Sequence, residues 1–341
     1  MLKSLEILIN KDSYKPGLWD LRKDDRAVEH WMEVFTENTE FICSLIDKDL
    51  KKPKKAVLYW EEMLKIISRI ENREFITVHD VTINRENILN AINITDPFIR
   101  LKSIQNNEAF KFLPDFIKYI DRINKKDALA LSISAVLEGN LFDLGSSTTT
   151  KMWINGNLKF NTPDLDVNIY SVCDKIFEKK RTATILVDNT GFDYVVGCIS
   201  LIYQLLKLDW KIIVAANEKP ALNDITVNEA LMMNNKINKI ICSWNELIED
   251  EKLSFISSGV KTPGIDMRKI SESLNSAVNS STLLIIIGQG RAIETTLNAI
   301  VDKDVLRIAK VKDSMVSEYL NIERLSDFIK WSNKGENIFA K

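Results

Sequence analysis

The chain has 341 residues, 45% of them hydrophobic and 28% charged, a globular composition that excludes a disordered chain. Its 46 Lys and Arg balance 48 Asp and Glu to a net charge of -2, so neither nucleic acid nor an anionic membrane surface is expected as a partner. Four scattered cysteines with no C-x-x-C pair, and only two histidines, argue against a Cys/His zinc site and for free thiols in a reducing compartment.

In chain order, the opening MLKSLEILINKDSYKPG has too short an apolar stretch for a signal peptide, and the cytoplasm is the expected location. No run approaches the roughly 20 apolar residues that span a bilayer. Between Arg26 and Asp49, Trp31, Val34, Phe35, Phe41, Ile42, Leu45 and Ile46 recur at spacings of three and four, which predicts a helix with one buried face. KKPKK (51–55) reads as a loop, 56–70 as a second helix, and 106–124 and 126–138 as further helices. From about residue 183 the pattern changes to short apolar runs separated by helix-length segments. The runs are ATILVDN (183–189), KIIVAAN (211–217), KIICSW (239–244), LSFISSG (253–259), TLLIIIGQG (282–290) and VLRIAKV (305–311). Continuous apolar runs suit strands buried on both faces, hence an α/β fold with a mainly parallel sheet and helices on either side. Segments 193–208, 266–279 and 292–301 are the expected crossover helices. The boundary between a helical N-terminal subdomain (1–150) and an α/β domain (151–341) follows from this change of pattern.

Ligands of parallel α/β sheets bind beyond the carboxyl ends of the strands. The residues ending the runs are Asp188-Asn189-Thr190-Gly191, Asn217-Glu218, Ser258-Gly259, Gly288-Gln289-Gly290-Arg291 and Lys312. Asp188 and Asn189 offer two adjacent oxygen ligands, and Asp224 in NDIT adds a carboxylate; two carboxylates and an amide suit a hard divalent cation with positions left for water and a phosphate oxygen. The bland alternatives are a turn at Asp188-Asn189 and an N-cap at Asp224 for a helix over 225–235. Gly288 and Gly290 would let phosphate approach backbone N–H groups at a helix start. Arg291 and Lys312 are the cations assigned to phosphate, against a salt-bridge reading for each. The dinucleotide fingerprint fails at Ile293, the Walker A spacing is absent, and Thr190 stands where an aspartyl-phosphatase D-x-D motif would need its second Asp.

Taken together, DNTGFDYVVG (188–197), ANEKPALNDIT (216–226), PGID (263–266), GQGRAIET (288–295) and the pair Val311-Lys312 resemble the damage-control phosphatase family. The branch most similar is that of the phosphatase domain attached to pantothenate kinases and its stand-alone plant relatives. LEGNLFDLGS (137–146), YKPGLWDLR (14–22) and ITDPFIRLK (94–102) extend the resemblance over most of the chain, in order. It implies a Rossmann-like three-layer sandwich preceded by a helical N-terminal subdomain. It also implies a divalent metal (Mg, Mn, Co or Ni) on Asp188, Asn189 and Asp224, and Asn140 and Asp143 lining the same cleft. Asp193 stands where other branches carry Glu.

The expected reaction is hydrolysis of a small phosphorylated metabolite, which the resemblance narrows to 4'-phosphopantetheine or its oxidised derivatives. Asp188 or Asp193 would accept a proton from the attacking water, while Arg291, Lys312 and backbone N–H groups near Gly290 stabilise the phosphoryl oxygens, with Ser258, Gly259, Gly288 and Gly290 on the substrate side. The competing readings are a sugar-phosphate phosphatase of the same family, a non-catalytic phospho-ligand-binding protein and a methyltransferase. Oligomeric state is open, a homodimer being one option.

Overall fold

The computed structural model describes residues 2–145, 147–160, 167–178, 182–248 and 251–338. Ser146, the end of the 137–146 element, lies outside them. After the two-residue strand β1 (Leu2–Lys3) come α1 (Asp25–Ser44), α2 (Pro53–Glu71) and α3 (Val78–Ala91). Helix α1 starts where Asp24 caps the Ala27 N–H, and its last turn widens into a π-helical turn over 45–49. The predicted loop at 51–55 is shorter than expected: Pro53 begins α2, because its fixed φ suits a first helical turn where its missing N–H costs nothing. Helix α3, not anticipated, is started by a capping box between Thr77 and Asp80. These three helices enclose a core of their own around Trp31, Phe35, Ile42, Tyr59, Met63 and Val81.

Next are α4 (Ile99–Ile120), α5 (Lys125–Gly139), α6 (Ser147–Ile154) and α7 (Val167–Glu178), then β2 (Thr182–Leu186), a π-helical turn (Asp193–Cys198), α8 (Ile199–Lys207) and β3 (Lys211–Ala216). The chain continues through α9 (Val227–Ile237), α10 (Trp244–Leu247), β4 (Leu253–Ser257), β5 (Ile270–Ser271), α11 (Glu272–Ser280) and β6 (Leu283–Ile287). It ends with a second π-helical turn (Gly290–Thr295), β7 (Asp304–Lys310), α12 (Ser314–Leu320) and β8 (Asp327–Ser332). The apolar run 239–244 forms turns and the start of α10 instead of a strand: Ile241 and Trp244 are buried there, and the indole N–H of Trp244 donates to Asn234 at 2.9 Å. The expected helix over 292–301 is reduced to the π-helical turn.

The main sheet has the order β4-β3-β2-β6-β7-β8, parallel throughout except for the edge strand β8. Alternate residues of each central strand face opposite layers. Ile185, Val214 and Ile285 join the core beneath α4, α5, α7 and α8, whereas Leu186, Ala215 and Ile286 join the core with α11 and the N-terminal Leu5, Leu8 and Tyr14. This is the three-layer sandwich, with a helical part packed on it. Residues before 150 are divided among all three cores, so α4 and α5 act as a layer of the sandwich while α1 to α3 stand over it.

From β2 the chain steps to β3 and β4 on one side, then returns to β6, β7 and β8 on the other. The switch point between β2 and β6 is where a crevice opens in such sheets. Leu186 pairs with Ile286 and with Ala215, so the register extended by two residues sets Asp188 level with Gly288 on one side and Asn217 on the other.

One buried ion cluster joins the helical layer to this region. Lys102 of α4 contacts Asp96 at 3.0 Å and Glu229 at 2.6 Å, and Glu229 is also the capping-box residue of α9, which follows directly on Asp224 and Ile225. Removing the cation leaves two carboxylates without their partner. Lys102→Ala is therefore expected to cost about 3–5 kcal/mol, read as a lower midpoint in urea unfolding at unchanged slope. A loss under about 1 kcal/mol would show that the cluster is merely solvated.

Candidate active site

Three loops meet at the switch point. The first follows β2 and carries Asp188, Asn189 and, in its π-helical turn, Asp193. The second, between β3 and α9, is drawn alongside by backbone pairing: the Ile225 N–H donates to Asp188 O and the Thr190 N–H to Asn223 O, both at 2.9 Å. That pairing places Asp224 beside Asn189. Asp224 is not the cap of α9; Thr226 caps that helix with Glu229, which leaves the Asp224 carboxylate for the site. The third loop follows β6 and carries Gly288 to Glu294. Gly288 has φ +94°, and a Cβ on it would lie 2.0 Å from Asp188 Oδ2. Only glycine lets the Asp188 carboxylate lean across the neighbouring strand end.

Arg291 binds these loops together. Its guanidinium donates to Asp188 Oδ1, to Asn217 Oδ1 at 3.0 Å and to Asp224 Oδ2 at 2.6 Å. Asn217 in turn donates to Asp224 Oδ2 at 2.9 Å and to Thr262 O at 3.2 Å. Helix α5 supplies the floor. Gly139 lets the backbone at Asp193 approach to a distance no side chain would allow, since a Cβ there would sit 2.7 Å from Asp193 Cα. The next residue, Asn140, caps α5 and donates to Asp193 Oδ2 at 2.8 Å and Asp188 Oδ2 at 3.1 Å. Its Oδ1 accepts from the Lys310 N–H at 3.1 Å and from Lys312 Nζ at 3.3 Å. Lys312 Nζ also donates to Asn140 O at 3.0 Å and to Asp143 Oδ2 at 2.7 Å.

The electrostatics follow from burial. Asp188 is raised above the ordinary carboxyl range, chiefly by burial, with Arg291 and Lys312 pulling the other way. Burial and the neighbouring Asp188 push Asp193 up to about 7, and burial, opposed by Arg291, pushes Asp224 up to about 8. Burial works against the charge of Lys312, but Asp143 and Asp188 outweigh it and hold its pKa above the usual value. Asp193 and Asp224 therefore tend to hold protons at neutral pH; only with all four neighbouring carboxyls (Asp143, Asp188, Asp193 and Asp224) ionised would they exceed the two cations, Arg291 and Lys312, by two negative charges.

That excess is what a divalent cation would offset, and the donor set fits one. Asn189 commits its Nδ2 to Asp188 Oδ2 at 2.9 Å and to Asp193 Oδ2 at 3.2 Å, and so keeps Oδ1 as its ligand end. Asp188 Oδ1 and Asp224 Oδ2 both face the Arg291 guanidinium, which holds the two carboxyl groups next to each other. Among the described residues no group of three or more His, Cys, Asp or Glu has metal-ligand spacing, so the donor set is limited to two carboxyl groups and an amide.

Asp188, Asn189 and Asp224 open onto a cavity of about 580 Å³ between the strand ends and α1 and α3. Its walls include Asp143, Gly290, Glu294 and Lys312 from the sandwich and His30, Trp31, Phe35, Val78 and Arg85 from the helices above. Asp313, the cap of α12, reaches His30 Nε2 at 2.8 Å across this cavity.

Several sequence expectations fall elsewhere. Arg291 is not on the cavity wall; its donors are spent on Asp188, Asn217 and Asp224 behind it. Asn140 and Asp193 are sealed beneath the wall, and the Gly288 N–H donates to Ile308 O instead of facing the cavity. Ser258 and Gly259 end β4, two strands from the switch point, where Ser258 O accepts from the Ser271 N–H and a Cβ on Gly259 would lie 2.8 Å from Leu2 Cδ2. They hold the small β1–β5 sheet. Asn217 was visible as a strand-end residue, but its tie to Arg291 and Asp224 was not foreseen. The cavity residues of α1 and α3 carry no local signal of their role, because their spacing is that of an ordinary core face.

The model of the damage-control phosphatase ARMT1-like domain matches residues 31–327. The chain belongs to that family. Similar proteins include a pantothenate kinase 2 of Oryza sativa, 29% identical over 69% of this chain but only 30% of that protein's length. A damage-control phosphatase of Arabidopsis thaliana is 29% identical over 69% of this chain and 67% of its own, and a 4'-phosphopantetheine phosphatase of Mus musculus is 22% identical over 97% and 48%. The chain thus spans under a third of the rice kinase and about half of the mouse phosphatase. A DUF89 family protein of Pyrococcus horikoshii shares the fold with TM-score 0.62 at 18% identity, covering 89% of this chain and 98% of that one.

Within this damage-control phosphatase domain, Gly288 is the tightest constraint on the site. Gly288→Ala is expected to lower stability by about 1–2 kcal/mol through its left-handed backbone. By displacing Asp188 it should also cut catalysed phosphate release on the order of 10²-fold. Calorimetry and a phosphate-release assay check both; full activity in the alanine variant would show that Asp188 does not need that space.

Proposed function

We propose that this member of the damage-control phosphatase family is a metal-dependent phosphoric monoester hydrolase, with 4'-phosphopantetheine or its oxidised derivatives as the substrate to try first. The reading rests chiefly on one observation. Two buried carboxyl groups and an amide oxygen, Asp188, Asp224 and Asn189, lie together at the switch point of the sheet beside Lys312, where full ionisation would leave more negative charge than the chain itself neutralises. The name of the mouse phosphatase supports the substrate, and the cavity is of a size usual for small-molecule sites.

Asp188, Asn189 and Asp224 would hold the metal. A divalent cation bound there supplies Lewis-acid polarisation of the phosphoryl oxygens and acidifies a bound water. The remaining work falls to side chains. Lys312, anchored by Asp143 and Asn140, presents a fixed positive charge to the phosphoryl oxygens. Arg291 holds Asp188 and Asp224 in register from behind, so that neither carboxylate has to reorganise when charge develops. Of the two carboxylates considered as proton acceptors, Asp188 reaches the cavity and Asp193 does not. Asp188 therefore takes the proton of the attacking water, and Asp193 orients Asn140 and Asn189.

A panel of phosphomonoesters, including 4'-phosphopantetheine and sugar phosphates, assayed for phosphate release with Mg, Mn, Co and Ni tests the reading. Turnover should require one of these ions, and Asp224→Asn should reduce it on the order of 10³-fold, about 4 kcal/mol of transition-state stabilisation. A second readout is thermal. An ion at 100 times its Kd should stabilise the wild type by about 2.7 kcal/mol, and Asp224→Asn should lose that shift. Preference for a sugar phosphate would move the substrate and keep the chemistry; tight ligand binding with no turnover in any of the four ions would turn the reading to a binding protein.

A further inference from the structure

Glu294 is an ionisable group on the cavity wall that the mechanism above leaves without a task. It stands on the π-helical turn after β6 and shares the wall with Gly290, Asp188, Asp224 and Lys312. One carboxyl oxygen is fixed: Oε1 accepts from Gln289 Nε2 at 2.7 Å. Gln289 is itself immobilised, its Oε1 accepting from the Lys312 N–H at 2.5 Å and the Asp313 N–H at 3.2 Å. Among the described residues no other hydrogen bond reaches the Glu294 carboxyl, and its second oxygen is left to the cavity. A rigid glutamine clamp on one oxygen of a carboxyl, with the other free beside a fixed lysine, is a costly arrangement for a residue with only a packing role.

The same side chain also lines an adjoining cavity of about 50 Å³, with His79, Thr82 and Gly264. The Nδ1 of His79 is buried there without a partner among the described residues. A void of that volume has room for a water between the two side chains.

The charges that face Glu294 come from three elements: Asp313 and Lys312 after β7, Asp143 after α5 and His30 on α1, while His79 on α3 shares the adjoining cavity. Burial, with Asp313 second, pushes Glu294 up to about 7, while Gln289 and Lys312 pull it down. A proton is therefore kept on this carboxyl up to about neutral pH, on the same wall as Asp188 and Lys312.

We propose that Glu294 is the general acid of the hydrolysis, handing its carboxyl proton to the ester oxygen of the substrate as that oxygen leaves. The assignment rests on the phosphatase reading above. Water attacks phosphorus and loses a proton to Asp188. The ester P–O bond breaks, its electron pair goes to the ester oxygen, and the Glu294 proton follows. The products are the alcohol and hydrogen phosphate; Asp188 releases its proton to solvent and Glu294 regains one from solvent, so the cycle closes. Such an acid matters when the leaving group is an alkoxide, as in an alkyl phosphate, and far less for a nitrophenolate, which leaves without protonation.

The test compares two substrates within each variant, so that the fraction of folded enzyme cancels. Wild type, Glu294→Gln and Glu294→Asp are assayed with 4'-phosphopantetheine and with para-nitrophenyl phosphate. In both variants kcat/KM for the alkyl ester should fall on the order of 10²–10³-fold, and for the aryl ester by less than about 10-fold. The wild-type alkyl activity should decline as pH rises past about 7, because the proton-donating form is then lost, and Glu294→Gln should lack that limb. Equal losses for both esters, or an alkaline limb that survives in Glu294→Gln, would overturn the proposal. Wild type inactive on both esters with all four metals is a different failure, that of the phosphatase reading, and takes this inference with it.

Discussion

A carboxylate at a sheet's switch point is the constraint around which this molecule is arranged. Asp188 ends the strand from which the chain departs in both directions, and Gly288 and Asn217 stand level with it on either side. Burying such a charge costs several kcal/mol unless it is paired and hydrogen-bonded. The protein does not bury one carboxylate there but a group, with Asp193 and Asp224 close by. The cost of the group is met from three directions: Arg291 from the turn after β6, Asn140 from the end of α5, and Asn189 from the adjacent position. Each of those partners requires a backbone in a particular place. Gly288 must have no side chain, Gly139 must admit the Asp193 backbone, and the β3–α9 loop must pair with the loop after β2.

The layers of the fold follow the same logic. The two π-helical turns lie directly after β2 and β6, the strands that border the switch point. Each widens a helix start and thereby re-aims one side chain, Asp193 in the first and Arg291 in the second. Helix α5 is buried along nearly its whole length, so it behaves as a rigid post carrying Asn140 to the floor of the site. The Lys102 cluster anchors the start of α9 and, through it, the loop that carries Asp224. Positioning by rigid elements suits a site whose groups must stay charged or polar while buried.

How much of this could be read from residues alone depends on the range of the interaction. Strands β2, β3, β6 and β7 were legible because a strand buried on both faces leaves a continuous apolar run, and β4, although an edge strand that is only partly buried, because Leu253, Phe255 and Ile256 still mark one. The same signal misled at 239–244, where Ile241 and Trp244 are equally apolar but are buried by a turn. Strand β8 went unread because it is an edge strand with mixed burial, and α3 because its apolar residues do not form one clean stripe. Strand ends pointed to Asp188, Asn189, Gly290 and Lys312, all of which line the cavity. They also pointed to Ser258 and Gly259, which do not, since the sequence carries no strand order and β4 turns out to be the sheet's edge. The inward turn of Arg291 was illegible for a related reason. An arginine at a strand end looks like a phosphate ligand until the carboxylates from two other loops are seen to consume its donors.

The cavity draws its wall from two parts of the fold. The sandwich contributes Asp143 and Lys312 on one side and Asp188, Asn189 and Asp224 on the other. Helices α1 and α3 add Trp31, Phe35 and Val78 as apolar surface and Arg85 and His30 as polar points already engaged with Glu86, Asn38 and Asp313, while Lys151 and Arg324 bring two further basic groups to the lining. A polar lining of this kind rejects a misfit polar group far more strongly than a missing methylene. The core of α1 to α3 around Ile42, Tyr59 and Met63 is separate from the sandwich, so side chains on these helices can change without disturbing Asp188.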